Sequence, residues 1–341
     1  MKEDSKRRVA LWLFSGCFLI FAMVVIGGIT RLTGSGLSIT EWNVFMGAIP
    51  PLNDVQWQEA FDKYQQIPQF QKVNAHFTLS DFKSIFMWEY IHRLIGRLIG
   101  IVFILPFCWF LFTKQLDKAT IRKALFLFAL GGLQGFLGWF MVKSGLTERT
   151  SVSHIRLAIH LMAALITFGF TFWYGLQLVY DKSSTGKTKD SGRLTALFVL
   201  LMIQIVYGAF VAGMHAGLMY NTWPLMDGQW IPSGIINNTS ILENLTSNQV
   251  LVQFIHRTFA ILILLLVFII WNKMRKMELT SVQRKGLHFL LAAVVLQFLL
   301  GVFTLLSQVQ IVLASLHQIG AFFLFSSTLF LLFHSRRSAQ S

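Results

Sequence analysis

Trp88-Glu89-Tyr90-Ile91-His92-Arg93-Leu94-Ile95-Gly96-Arg97 sets a carboxylate, an imidazole and two guanidiniums near the start of a long apolar stretch. Ionisable groups are costly inside a membrane span, and where they occur there they mark function by default. Three more histidines share the situation of His92: His160, His256 and His317 each fall about one and a half helical turns inside an apolar run. His76, His215, His288 and His334 fall in loops or at the ends of such runs and read as packing or interface residues.

Two imidazoles on different helices, at matching depth and with no third Cys, Asp or Glu ligand, suit zinc poorly. They suit the two axial positions of a heme, whose flat apolar ring needs a greasy slot between helices. Small residues follow the histidines on the same face: Gly96 and Gly100 after His92, Ala164 after His160, Ala260 after His256. Ordinary small-residue helix packing accounts for them equally. Arg93, Arg97 and Arg257 could pair with heme propionates, or simply snorkel to the interface. Glu89 precedes His92 by three residues and so lies on nearly the same helix face, whereas Gln253 holds that place before His256. The asymmetry points to divided labour. A carboxylate at one site would stabilise developing positive charge or take a proton; the neutral site would hold a cofactor and pass electrons. An i, i+4 pair between Glu89 and Arg93 is the competing account.

The elements that must position these groups are membrane helices. The 341 residues are 55% hydrophobic and 13% charged, about half the charged fraction of a soluble domain. Apolar runs of about 20 residues predict eight spans, near 9–28, 85–112, 123–142, 154–178, 194–213, 250–271, 287–306 and 311–333. The net charge of +14 is confined to short segments between runs, a pattern of topology signals rather than of nucleic-acid binding. Lys and Arg fall in alternate segments, which puts both termini in the cytoplasm. The first run lacks a small-x-small cleavage site and is kept as a mature helix. Cys17 and Cys108 sit inside apolar runs and read as packing residues.

The chain repeats itself. Gly27 to Leu37 aligns with Gly208 to Leu218, with Trp42 opposite Trp223 and Pro50 nearly opposite Pro232. Glu89 to Arg93 aligns with Gln253 to Arg257, Leu133-Gln134 and Gly138 with Leu296-Gln297 and Gly301, and Ala158-Ile159-His160 with Ser315-Leu316-His317. These correspondences in one order predict two tandem four-helix bundles related by a pseudo-twofold axis along the membrane normal. The expected division is an N-terminal half over 1–180 with a substrate heme site, a polar cytoplasmic linker over 181–193 and a C-terminal half over 194–341. The spacing of Trp57, Phe61 and Tyr64 predicts a short amphipathic helix on the outer interface, acting as a lid.

Gly47-Ala48-Ile49-Pro50-Pro51-Leu52-Asn53, Asp81-Phe82-Lys83-Ser84-Ile85-Phe86, the Glu89 to Arg97 stretch and Tyr220-Asn221-Thr222-Trp223-Pro224-Leu225-Met226 resemble the heme A synthase family, in its cysteine-poor mitochondrial and alphaproteobacterial branch. The resemblance covers Val9 to about Phe333. Some members carry a cysteine pair in outer loops; this chain has none there, and that redox feature is not carried over. The resemblance implies oxidation of a methyl group of heme O to a formyl group, giving heme A for cytochrome oxidase. It implies that His256 and His317 hold a heme b cofactor, that His92 and His160 line or ligate the heme O/A site, and that Glu89 is the catalytic carboxylate. Heme O synthase, an electron donor and membrane lipid are the implied partners, with no nucleic acid, and a homo-oligomer stays open. The N-terminus lacks an Arg- and Ser-rich transit segment, favouring a bacterial inner membrane with the heme sites toward the periplasm. Two rivals stand beside this reading: a di-heme b-type electron-transfer cytochrome, and a heme carrier or oxidase assembly factor without chemistry.

Overall fold

The computed structural model describes residues 1–41, 49–146, 149–180 and 191–336. Trp42, the Gly47-Ala48 start of the first motif, most of the 181–193 linker and Arg337 lie outside the described residues. The described residues form ten α-helices: α1 Glu3–Leu32, α2 Asp54–Gln65, α3 Leu79–Phe112, α4 Lys118–Leu146, α5 His154–Val179, α6 Ser191–Gly213, α7 Ile241–Ser247, α8 Gln249–Met274, α9 Ser281–Leu306 and α10 Ile311–Arg336. All but α2 and α7 are long and apolar enough to cross a membrane. The protein is an all-helical, multi-pass membrane protein.

The helices overrun the apolar stretches because polar residues cap them. α3 starts at Leu79 rather than near 85, since Thr78 and Asp81 form a reciprocal capping box ahead of the apolar run. α9 starts in the same way on Thr280 and Gln283. α6 starts at Ser191, inside the stretch expected as linker. α7 and α8 are separated at Asn248, whose side chain accepts from the amides of Val250 and Leu251.

The chain folds into two compact units, one of Met1–Ser5 and Trp12–Phe168, the other of Lys6–Leu11 and Gly169–Ser341. In the second, Leu194, Leu197 and Leu201 of α6, Ile263, Val267 and Ile270 of α8, Leu287, Leu290 and Val294 of α9, and Leu324, Leu331 and Leu332 of α10 make one buried aliphatic core. These residues come from the first halves of α6 and α9 and the later parts of α8 and α10. The bundle is therefore packed solid at one end, and His256 and His317 sit toward the other. In the first unit, Trp12 of α1 packs on Phe103, Phe107 and Phe110 of α3 and donates its indole N–H to the Val102 carbonyl at 3.0 Å. This closes α1 against α3 at the end away from His92.

The expected short helix is present as α2, but its aromatic face is turned onto protein. Trp57 meets Phe82 and Phe86 edge-on, Phe61 and Tyr64 pack on Phe82, and Tyr64 is 0% exposed. The early start of α3 supplies Phe82, so the cap at Thr78 completes the partner surface of α2.

Candidate functional site

In the first unit the loop after α1 folds back over α3 and encloses Glu89, which is 3% exposed. Glu89 Oε2 accepts from the Ser38 hydroxyl at 2.7 Å and the Ile39 amide at 2.9 Å. Oε1 accepts from Arg93 Nη2 at 2.6 Å, so the i, i+4 ion pair is formed. Arg93 also donates to the carbonyls of Ile39 and Glu41, both at 2.9 Å. The loop is held from its other side by α2. Asn74 donates to the Tyr64 hydroxyl at 2.8 Å, Tyr64 donates to Gln69 Oε1 at 3.1 Å, and Gln69 Nε2 donates to the Gly34 carbonyl at 2.9 Å. Burial pushes the Tyr64 phenol above its usual pKa range. Gly34, at φ +67°, supplies the left-handed turn that the loop needs.

The second unit repeats this clamp with one change. Arg257 donates to the carbonyls of Thr222 and Pro224 at 2.9 and 3.0 Å, with its guanidinium 5.1 Å from the centre of the Trp223 ring. By the internal alignment, Thr222 corresponds to Glu41 and Tyr220 to Ile39. Gln253 Nε2 donates to the Tyr220 carbonyl at 3.0 Å, in the place where Glu89 accepts from the Ile39 amide. Gln253 Oε1 is buried without a partner.

All four histidines lie against a glycine of a neighbouring helix. A Cβ on Gly27 would stand 3.0 Å from His92 Nε2; on Gly138, 3.1 Å from His160 Cε1; on Gly208, 3.2 Å from His256 Cε1; on Gly301, 2.8 Å from His317 Cε1. These four glycines occupy corresponding places in the two repeats. Gly96 and Gly100, beside His92 in sequence, do not make this room: a Cβ on Gly96 would meet Met23, and one on Gly100 meets nothing within 4 Å. Gln134 Nε2 lies 3.2 Å from His160 Nδ1 and Gln297 Nε2 lies 3.1 Å from His317 Nδ1. His256 and His317 face each other with ring centroids 6.4 Å apart.

That spacing fits one iron between the last two rings: imidazoles sharing a metal through bonds of about 2 Å bring their centroids about 6 Å apart. Two orphaned polar groups in the second unit fit the same group. His256 Nδ1 and Arg257 Nη1 are buried without a partner, and a buried donor left unpaired costs about 1–3 kcal/mol. Among the described residues no three His, Cys, Asp or Glu side chains converge, so these are pairs, the number of axial positions that heme iron offers.

The structure thus brings together Glu89 with Arg93, and His256 with His317, and sets His92 and His160 each against a glycine. Arg97 lies one turn along α3 from Arg93 and is half-buried. Sequence reasoning gave no role to Ser38, Ile39, Gln134, Gln297 or the four facing glycines. For the glutamines and glycines the signal was present, since they fall inside the aligned repeat blocks. Arg156, one turn before His160, was also missed. It donates to the Phe140 carbonyl at 2.8 Å and covers the Phe140 ring.

Residues 10–329 match the COX15-CtaA family, described as cytochrome oxidase assembly protein. The chain is 50% identical to the heme A synthase of Flavobacterium johnsoniae over 96% of this chain and 97% of that protein. It is 46% identical to the heme A synthase of Parvibaculum lavamentivorans, over 95% and 93%, and 41% identical to that of Wolbachia pipientis, over 98% and 94%.

Proposed function

The chain belongs to the COX15-CtaA family of cytochrome oxidase assembly proteins, and we propose that it acts as a heme A synthase, an oxidoreductase that converts a methyl group of heme O to the formyl group of heme A. The observation that carries this reading is the difference between two otherwise repeated sites. Both have a histidine pair, facing glycines and an arginine clamped on the outer loop; only the first has a buried carboxylate, Glu89, beside its histidine.

His92 and His160 line the site for heme O, and His256 and His317 hold heme b. When bound, heme b would supply one-electron redox chemistry, relaying electrons from the donor. The residues do the rest. The histidines and their glycines fix the plane of each ring, while Arg257 Nη1 offers a buried donor to a propionate. Arg93 and Arg97 lie on the corresponding face of α3. Glu89, fixed by Ser38, Ile39 and Arg93, cannot swing far. Its place is therefore that of a preorganised negative group facing the carbon that becomes electron-poor, rather than a mobile base. The methyl carbon is oxidised first to an alcohol and then again to a hydrate, which loses water to give the aldehyde. With an electron donor as partner each oxidation balances as a monooxygenation, dioxygen giving one oxygen atom to the carbon and the other to water with two protons and two donor electrons.

The distribution of basic segments supports a topology with both termini in the cytoplasm and the histidines toward the outer face of a bacterial inner membrane. An electron donor and heme O synthase are the partners this activity requires. Expression with a heme O source and an active electron donor, followed by heme extraction, tests the proposal. Hydroxylated and formyl hemes are expected; their absence would refute it. A plain di-heme cytochrome would instead yield only heme b from both halves.

A further inference from the structure

In each unit a glutamine from the third span faces the histidine of the fourth, but the two amides are held differently. We propose that this makes His317 a fixed iron ligand and His160 an exchangeable one, with Gln297 and Gln134 as the positioning residues. The inference rests on the heme A synthase reading above.

Gln134 Nε2 donates to the His160 carbonyl at 3.0 Å. That bond holds the N–H edge of the amide against the ring, 3.2 Å from Nδ1 and 3.5 Å from Nε2. Turning the amide over would set Oε1 against a carbonyl oxygen, two acceptors with no proton between them. One hydrogen of that amide is spent on the carbonyl, so Gln134 turns its remaining N–H toward the ring, and an incoming iron would have to displace it. Gln297 has no such anchor. Its hydrogen bond is to His317 Nδ1 at 3.1 Å; the Oε1 of both glutamines is buried without a partner, so the bond to the histidine carbonyl is what separates the two amides. Turned over, it loses no bond to any other group, gives Oε1 the Nδ1–H donor, and leaves Nε2 free for iron. A partner on one ring nitrogen decides which nitrogen binds metal and strengthens it as a ligand.

The surroundings differ in the same sense. Gly320, one turn after His317, lies directly against the Gln297 amide, and a Cβ there would collide with Oε1. The corresponding residue of the first unit is Ala163. A synthase needs this asymmetry, because one heme stays while the other must enter as substrate and leave as product.

The test uses the full-length protein reconstituted with hemin, and follows heme transfer to excess apomyoglobin together with the midpoint potential of the retained heme. Wild type is expected to release heme in two phases. Gln134→Leu should slow the fast phase by about tenfold. Gln297→Leu should speed loss of the slow heme by about 10–100-fold and raise its potential. Gln297→Glu, which can only accept from Nδ1–H, should keep the slow phase and lower the potential. A packing role alone would move the potential of both Gln297 variants in one direction, and that result overturns the proposal. So does a Gln134→Leu protein that releases heme as fast as wild type or faster. The heme of the untouched half reports folding in each variant. Gly320→Ala displaces the Gln297 amide without replacing it and should match Gln297→Leu; wild-type behaviour there also overturns the proposal. None of these readouts needs turnover. If wild type makes no formyl heme yet both phases respond as stated, the synthase reading fails and the ligand assignment survives.

Discussion

At the scale of the residue, Glu89 is both halves of the choice its sequence offered. It forms the ion pair with Arg93, and it also keeps an oxygen for Ser38 and Ile39. Spacing alone exposed the Arg93 contact, because i, i+4 partners meet on any helix. Ser38 and Ile39 lie some fifty residues away, and no local pattern announces them. Glu89→Gln reproduces the residue that the second unit carries at this place. It should leave the heme of the second unit in full occupancy and abolish formyl heme, measured by extraction. The stability loss should stay below the roughly 3–5 kcal/mol of breaking a buried pair, because Arg93 keeps the carbonyls of Ile39 and Glu41. An active variant would return Glu89 to a structural role. The facing glycines give a sharper steric test. A Cβ at 301 would stand 2.8 Å from His317, closer than atoms pack without moving. Gly301→Ala should therefore lower heme affinity in the second unit on the order of tenfold or more, while Gly138→Ala should act on the first. Heme content by type, before and after gel filtration, separates the two.

At the scale of the element, α2 is where the sequence was read correctly as a helix and incompletely as a lid. The i, i+4, i+7 aromatic spacing survives as Trp57, Phe61 and Tyr64, but the partner surface was invisible. Its Phe82 part comes from a start of α3 that carries Asp81 and Lys83 and so fell outside the apolar run. A hydropathy pattern finds the part of a helix that meets lipid; capping residues decide where it begins. With its face occupied by Phe82 and Phe86, α2 buttresses the loop that holds Glu89. The Asn74, Tyr64, Gln69 and Gly34 chain is the link. Tyr64→Phe keeps the ring packing and removes the hydroxyl, leaving Asn74 and Gln69 each short of a partner at a cost of about 1–3 kcal/mol. Expected is a loop cleaved faster by protease, with lower synthase activity and unchanged heme in the second unit. Equal proteolysis and equal activity would show that α2 does not support the site.

At the scale of the whole molecule, the internal alignment was legible because the glycine–histidine contacts of each unit are made by residues that match in sequence. Histidines, glycines and glutamines therefore recur in register while the lipid-facing residues drift. Unequal treatment of the two copies was legible only where it changed a residue type, as at Glu89 and Gln253. Where the same residue is held differently, as at Gln134 and Gln297, sequence is mute and geometry speaks. Topology is the remaining global expectation, and it decides from which side substrate, donor and product arrive. Basic residues cluster at the α3–α4 and α8–α9 turns, where Arg275 is fixed over Trp271 at 4.4 Å. Each Lys or Arg beside an anionic leaflet is worth about 1 kcal/mol, so a reversed orientation would forfeit the contribution of every such turn at once. With Cys17 and Cys108 replaced by alanine, single cysteines at Gln115 and Met277 should resist a membrane-impermeant maleimide in intact cells. A cysteine at Leu242, 71% exposed on α7, should react. The opposite pattern would turn the protein over, placing both histidine pairs toward the cytoplasm and requiring that heme O and the electron donor be supplied from there.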